Sequence, residues 1–260
     1  MKDLTIIIPV KEYESSMDEL LHRAIVSCFD NRIILIGKDV DKYEFKQNEG
    51  EQIPLMIQIK NESENTSYQQ NVNLAVDMVE TKYFSVLEYD DYFSKIWFDN
   101  VEKYIKYDTN YIFAFLPLTE IVEYNNDMKA EPKTIGYANE AVWASSFSEE
   151  IGYFDLAALK DYLNFNTSGG IFNTNEFVKL GGLKNSMKLV FWLEFLKRAL
   201  YNNKMIFVIP KVGYYHVVNR EGSLSDVYRN TMTEKEADWW VDLSEKEYFF
   251  KKDRNKIYEE

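Results

Sequence analysis

The chain has 260 residues, 46% of them hydrophobic, and a formal net charge of −13. That is enough apolar material for one large domain or two closely packed halves, so disorder is excluded, and the acidity disfavours general attraction to nucleic acid or an anionic membrane. Cys28 is the only cysteine; an internal disulfide is therefore excluded, and its apolar surroundings mark a core thiol in a reducing compartment.

Met1-Lys2-Asp3-Leu4 leads straight into a strand. It lacks a charged region followed by a long apolar one, and no window approaches the roughly 18 apolar residues of a membrane span, so a soluble, cytoplasmic protein is expected. Leu4 to Val10 is a continuous apolar run rich in β-branched residues, the pattern of a strand covered on both faces of a parallel sheet. Pro9 ends it. Ser15 and Ser16 offer an N-cap, Asp18 and Glu19 give first-turn acids, and Leu20, Leu21, Ala24, Ile25 and Cys28 follow at helical spacing. Strands are predicted over 32–37 and 53–59, a helix over 73–79, and a fourth strand over 83–87.

The fourth strand runs into Glu88, Tyr89, Asp90 and Asp91. On an extended backbone Glu88 and Asp90 project to the same side while Asp91 begins a turn, so two or three oxygens can converge on a hard cation such as Mg²⁺ or Mn²⁺. An acidic turn after an ordinary strand would read the same way.

Strand and helix alternate, which by the right-handed crossover rule makes an α/β fold: an open parallel sheet with helices on both faces, binding ligands off the carboxyl ends of its strands. Pro9-Val10-Lys11-Glu12, Gly37-Lys38-Asp39 and the acids at 88–91 all fall on that edge. Neither G-x-G-x-x-G after the first strand nor G-x-x-x-x-G-K-[ST] is present, so ordinary dinucleotide and P-loop sites lose support.

Four stretches in order carry a family resemblance: Ile6-Ile7-Ile8-Pro9, Gln70-Asn71-Val72-Asn73-Leu74-Ala75, Tyr83 to Asp91, and Phe177-Val178-Lys179-Leu180-Gly181-Gly182-Leu183. Together they resemble family 2 glycosyltransferases of GT-A fold, over residues 4 to 225. The resemblance implies a Rossmann-like, mostly parallel sheet, with a nucleotide-sugar half at 1–100, an acceptor half at 101–225 and a helical extension at 226–260. It implies that Pro9, Val10 and Glu12 line the nucleobase pocket, that Asp39 stands near a uracil-type edge, and that Asn71 serves the loop over ribose and phosphates. Glu88 and Asp90 match the outer acids of the metal-binding D-x-D around Tyr89, and His216 lies where related folds place a metal or phosphate contact, beside Arg220.

The departures are specific. Gln70 stands where the family writes arginine, and its Glu-Asp pair ahead of the C-terminal helix is replaced by Phe191 and Trp192. Glu194 is the acid left there, either a displaced base or a solvated helical residue paired with Arg198 at i, i+4. Asp155 and Asp161 are rival bases. Gly169 and Gly170 would allow close approach of backbone to a ligand, or simply make a turn ahead of a strand. Trp143, Phe147, Tyr153 and Phe154 punctuate the middle segment as sugar-stacking or core aromatics. Residues 234–258 read as an amphipathic helix that packs back on the domain or pairs two copies as a homodimer.

The activity implied is transfer of a sugar from a nucleotide diphosphate, UDP above others, to a hydroxyl of a glycan, protein or small molecule, with inversion and with Mn²⁺ or Mg²⁺. A nucleotidyltransferase and a non-catalytic glycosyltransferase-like module are the alternatives.

Overall fold

A computed structural model describes residues 1, 3–63, 66–106, 112–127, 131–140, 152–161 and 165–246. The strands are β1 (Leu4–Glu12), β2 (Arg32–Lys38), β3 (Met56–Lys60), β4 (Tyr83–Val86), β5 (Tyr92–Phe93), β6 (Ile112–Glu123), β7 (Thr134–Ala138), β8 (Gly152–Phe154), β9 (Ile171–Asn173) and β10 (Met205–Val218). They form a single sheet in the order β3-β2-β1-β4-β9-β6-β10-β5, with β7 on β6 and β8 on β10. The helices are α1 (Asp18–Ser27), α2 (Tyr68–Asp77), α3 (Trp97–Ile105), α4 (Leu156–Asp161), α5 (Thr174–Lys179), α6 (Phe191–Tyr201), α7 (Leu224–Thr231) and α8 (Glu234–Glu245).

β1 is the axis. It pairs in parallel with β2 on one side and β4 on the other, and β2 pairs in parallel with β3. Its side chains alternate between two cores: Leu4, Ile6, Ile8 and Val10 pack with α1, while Ile7 packs with α2 and the Phe84–Phe172 layer. Each such isoleucine, taken wholly out of water, contributes on the order of 2 kcal/mol. This two-faced burial is why the strand carries no polar alternation.

The other half departs from simple alternation. β9 inserts antiparallel between β4 and β6, and its reversal leaves β4, β6 and β10 pointing the same way. β10 is one long strand, with its register against β6 shifting between Ile209 and Val212, around Pro210. Strands from both predicted halves therefore share one sheet.

α2 begins earlier than its apolar spacing suggests, because Ser67 and Gln70 close a reciprocal capping box. That is the work of Gln70. The buried amides Gln69 and Asn73 then tie α2 to the 183–187 segment through Met187 O, 2.5 Å away, and Leu183 O, 2.8 Å away. At the other end of the chain α8 packs on α6 with Trp240 buried and Trp239 exposed. The predicted helix stops at Glu245; Trp143, Phe147 and residues 247–260 lie outside the described residues. Phe154 is core and Tyr153 exposed. Among the described residues no helix is long and apolar enough to cross a membrane.

Candidate active site

The carboxyl ends of β1, β2, β3 and β4 meet at one edge of the sheet, joined there by the turn that leads into β9 and by the end of β10. Pro9 and Val10 are buried in β1, and Glu12, at its exposed tip, pairs with Lys38 at 2.7 Å. Gly37 permits this closeness: a Cβ there would lie 1.9 Å from Val10 O. Asp39 follows in the left-handed region at φ 59° and is ion-paired with Lys42 at 3.0 Å. The hydrogen bond from Lys42 holds its carboxyl below the usual range. Asn71, buried on α2, donates to Val10 O at 3.2 Å and accepts from Asn61 at 3.0 Å, so it joins the ends of β1 and β3.

The acids are arranged differently from the prediction. β4 ends at Val86, and Glu88 to Asp91 form a turn closed by Asp91 N–H donating to Glu88 O at 3.0 Å. Off the strand, Glu88 and Asp90 no longer share a side. Glu88 accepts from Tyr68 Oη at 2.6 Å. Burial, with Asp91 and Asp90 nearby, outweighs that bond and pushes its carboxyl up to about 8. Asp90 is ion-paired with Arg220 Nε at 2.6 Å. Its backbone carbonyl accepts from Arg23 at 2.6 Å. Asp91 is wholly buried and takes three donors, Tyr214 Oη at 2.9 Å, His216 Nδ1 at 2.9 Å and Val217 N at 2.7 Å. The site thus brings Glu88, Tyr89, Asp90, His216 and Arg220 together.

These contacts decide how well a divalent ion fits. Such an ion needs several oxygens facing one point, yet Glu88, Asp90 and Asp91 each face a different protein donor, and His216 turns Nδ1 to Asp91. Among the described residues no group of three or more His, Cys, Asp and Glu side chains is placed to hold a metal. The arrangement does not fit the predicted Glu88–Asp90–His216 centre.

Gly169 and Gly170 stand at the same edge but pack against protein. Gly169, at φ +74°, would put a Cβ 2.2 Å from the Tyr214 ring, and Gly170 one 2.6 Å from Leu116. Gly169 also receives Trp97 Nε1 on its carbonyl at 2.9 Å. Of the predicted bases, Glu194 is neither solvated nor within reach of a ligand. It is fully buried, 2.8 Å from Lys184 Nζ and 2.9 Å from Arg198, which also holds Leu180 O and Gly182 O. Asp155 is exposed after β8, beside the amino end of β10, and caps α4 by accepting from Ala158 N at 2.6 Å. Asp161 closes α4; its side chain lies outside the described residues.

A cleft of roughly 1170 Å³ opens between α1, the 43–51 segment and Tyr92, with Asp18, Glu19 and Glu51 on its walls and Arg23 shared with the edge. None of the predicted site residues lines it.

Three solved structures share this architecture. S. aureus TarS 1–349 with UDP-GlcNAc superposes at a TM-score of 0.57 and 16% identity, over 86% of this chain and 61% of that one. The same fragment with UDP gives 0.56 and 17%, over 88% and 63%. The longer TarS chain gives 0.54 and 17%, over 88% and 38%. The fold is GT-A. At this identity the likeness is one of fold, and the chain spans about three-fifths of the length of the TarS fragments it matches. No protein-family model matches the sequence, and no curated protein does.

Sequence reasoning missed three residues of this GT-A edge: Tyr68, Arg23 and Tyr214. Tyr214 accepts from Glu88 N at 3.1 Å and donates to Asp91. Each partner lies 20 or more residues away in sequence, so no local pattern marks them.

Proposed function

We propose that the chain is a glycosyltransferase that moves a sugar from a nucleotide diphosphate, UDP above others, to a hydroxyl acceptor. The observation that carries this reading is the meeting of the β1, β2, β3 and β4 ends at one edge of a GT-A sheet, in a fold whose neighbour TarS was captured with UDP-GlcNAc and with UDP. Pro9 and Val10 form the floor for the base. Asp39, kept ionised by Lys42, is an acceptor suited to the uracil N–H. Asn71 holds the loops on either side of the ribose, and the 88–91 turn with Arg220 faces the diphosphate.

The transfer is a single displacement with inversion. The acceptor oxygen attacks the anomeric carbon opposite the leaving diphosphate and gives its proton to a carboxylate. Asp155, spent on a helix cap, and Glu194, sealed inside, do not supply it. Bound Mn²⁺ or Mg²⁺ would offset charge on the leaving group, but no step is assigned to it given the engaged carboxylates.

A second reading has its own support: Phe191 and Trp192 in place of an acidic pair favour a module that binds nucleotide sugar without transferring it. A thermal-shift panel of nucleotide sugars followed by a nucleotide-release assay separates these, since stabilisation rises with the logarithm of [L]/Kd. Stabilisation by UDP-sugars with UDP release supports transfer. Stabilisation without release supports the module, and no stabilisation by any nucleotide sugar contradicts both.

A further inference from the structure

We propose that Arg220 is the built-in cation for the donor diphosphate, standing beside Asp90 where the resemblance puts a divalent ion, so that nucleotide diphosphate binds here without metal. The proposal rests on the nucleotide-sugar reading above.

The position of Arg220 is fixed from several sides. Its Nε lies 2.6 Å from Asp90 Oδ2, its guanidinium lies 4.9 Å from the centre of the Tyr89 ring, and a terminal nitrogen donates to Tyr89 Oη. Only 13% of the Arg220 side chain and 11% of the Asp90 side chain are exposed. The turn that delivers it is set by two left-handed residues, Asn219 at φ 61° and Gly222 at φ 75°, and Ser223 then caps α7 through Asp226 N. Asp90 is held in turn, by Arg23 on its backbone carbonyl.

Charge and donor count point the same way. A divalent ion at Asp90 must displace Arg220 or sit against its positive charge, with the Arg23 guanidinium close behind. Asp91 cannot help, since both its oxygens are taken by Tyr214, His216 and Val217. A guanidinium has five N–H donors in a rigid fork. Asp90, Tyr89 and the Glu221 carbonyl, at 3.3 Å, take one each. Among the described residues the other two, one on each terminal nitrogen, have no acceptor and remain for phosphate oxygens.

Calorimetric titration of UDP into the full chain, in EDTA and in Mn²⁺, tests this together with the Mn²⁺ EPR signal of the protein alone. The expected result is a UDP Kd equal in the two buffers within about twofold, with no loss of the free-ion Mn²⁺ signal. Arg220→Ala, checked for folding by its melting profile, should weaken UDP by about tenfold or more in EDTA without rescue by Mn²⁺, and Arg220→Lys should recover part of the loss. UDP binding seen only with Mn²⁺, or an Arg220→Ala protein that binds UDP in EDTA like the parent, overturns the proposal and leaves the donor reading standing. No UDP binding in either buffer removes the donor reading, and the proposal falls with it.

Discussion

Nδ1 of His216 lies 2.9 Å from Oδ2 of Asp91, a carboxylate with no solvent exposure. Burial lowers the affinity of the imidazole for its proton, but the charge of Asp91 and its hydrogen bond, with Asp90 and Glu88 behind, outweigh burial and raise the pKa from 6.5 to about 9. The folded state therefore binds this proton more tightly than the unfolded chain. The resulting stability is fully present below 6.5 and is lost as pH rises through about 9. Urea midpoints of the parent should fall over that window, and His216→Asn should flatten this part of the profile. Asp91→Ala should cost about 1–3 kcal/mol, because it strands the buried donors Tyr214 Oη and Val217 N and removes the partner of His216, whose side chain is 36% exposed.

Glu88 gives a second pH signature. Its carboxyl is raised from 4.5 to about 8, first by burial and then by Asp91 and Asp90, against the opposing bond from Tyr68. Between those values the unfolded chain releases a proton that the fold retains, so this group makes stability fall as pH rises and stop changing above about 8. Glu88→Gln keeps an acceptor for Tyr68 Oη and should remove the decline between 4.5 and 6.5, below the window in which His216 contributes. A Glu88→Gln profile that still falls there would contradict the assignment.

Gly169 is a tight turn of the site. A Cβ at that position meets Tyr214 at 2.2 Å in a left-handed backbone. Strain of about 1–2 kcal/mol and overpacking of about 1–3 kcal/mol should together destabilise Gly169→Ala by several kcal/mol in chemical denaturation. Because Tyr214 holds both Asp91 and the Glu88 amide, UDP affinity should fall in the same variant.

Glu194 separates structure from chemistry. Glu194→Ala leaves Lys184 and Arg198 buried without their carboxylate and should lose about 3–5 kcal/mol of stability. Transfer rate per folded molecule should stay near the parent value in an assay below the lowered melting temperature. A collapse of turnover with stability intact would make it a base after all.

Much of this was legible in the chain. The apolar run of β1 fixed a strand with two covered faces, and the alternation after it placed Pro9, Asp39 and Glu88 on one edge. The rest depends on distant partners. β-formers running into acids do not say where the strand ends, and the turn at 88–91 sends Glu88 to Tyr68 and Asp90 to Arg220, 130 residues on. Glu194 looked solvated because Arg198 sits one helical turn away, whereas Lys184, across the Gly181-Gly182 turn, seals it inside. Gln70 read as a lost arginine until its capping partner Ser67 was in place. The reversed β9 has only three residues, too few for periodicity to give its direction.

The most direct measurement is the position of UDP in a crystal of the protein. Density for the base between Pro9 and Asp39, with the diphosphate against the 88–91 turn and Arg220, is the predicted result. UDP bound in the acid-walled cleft beside α1 and Tyr92, with the carboxyl edge empty, would contradict the account.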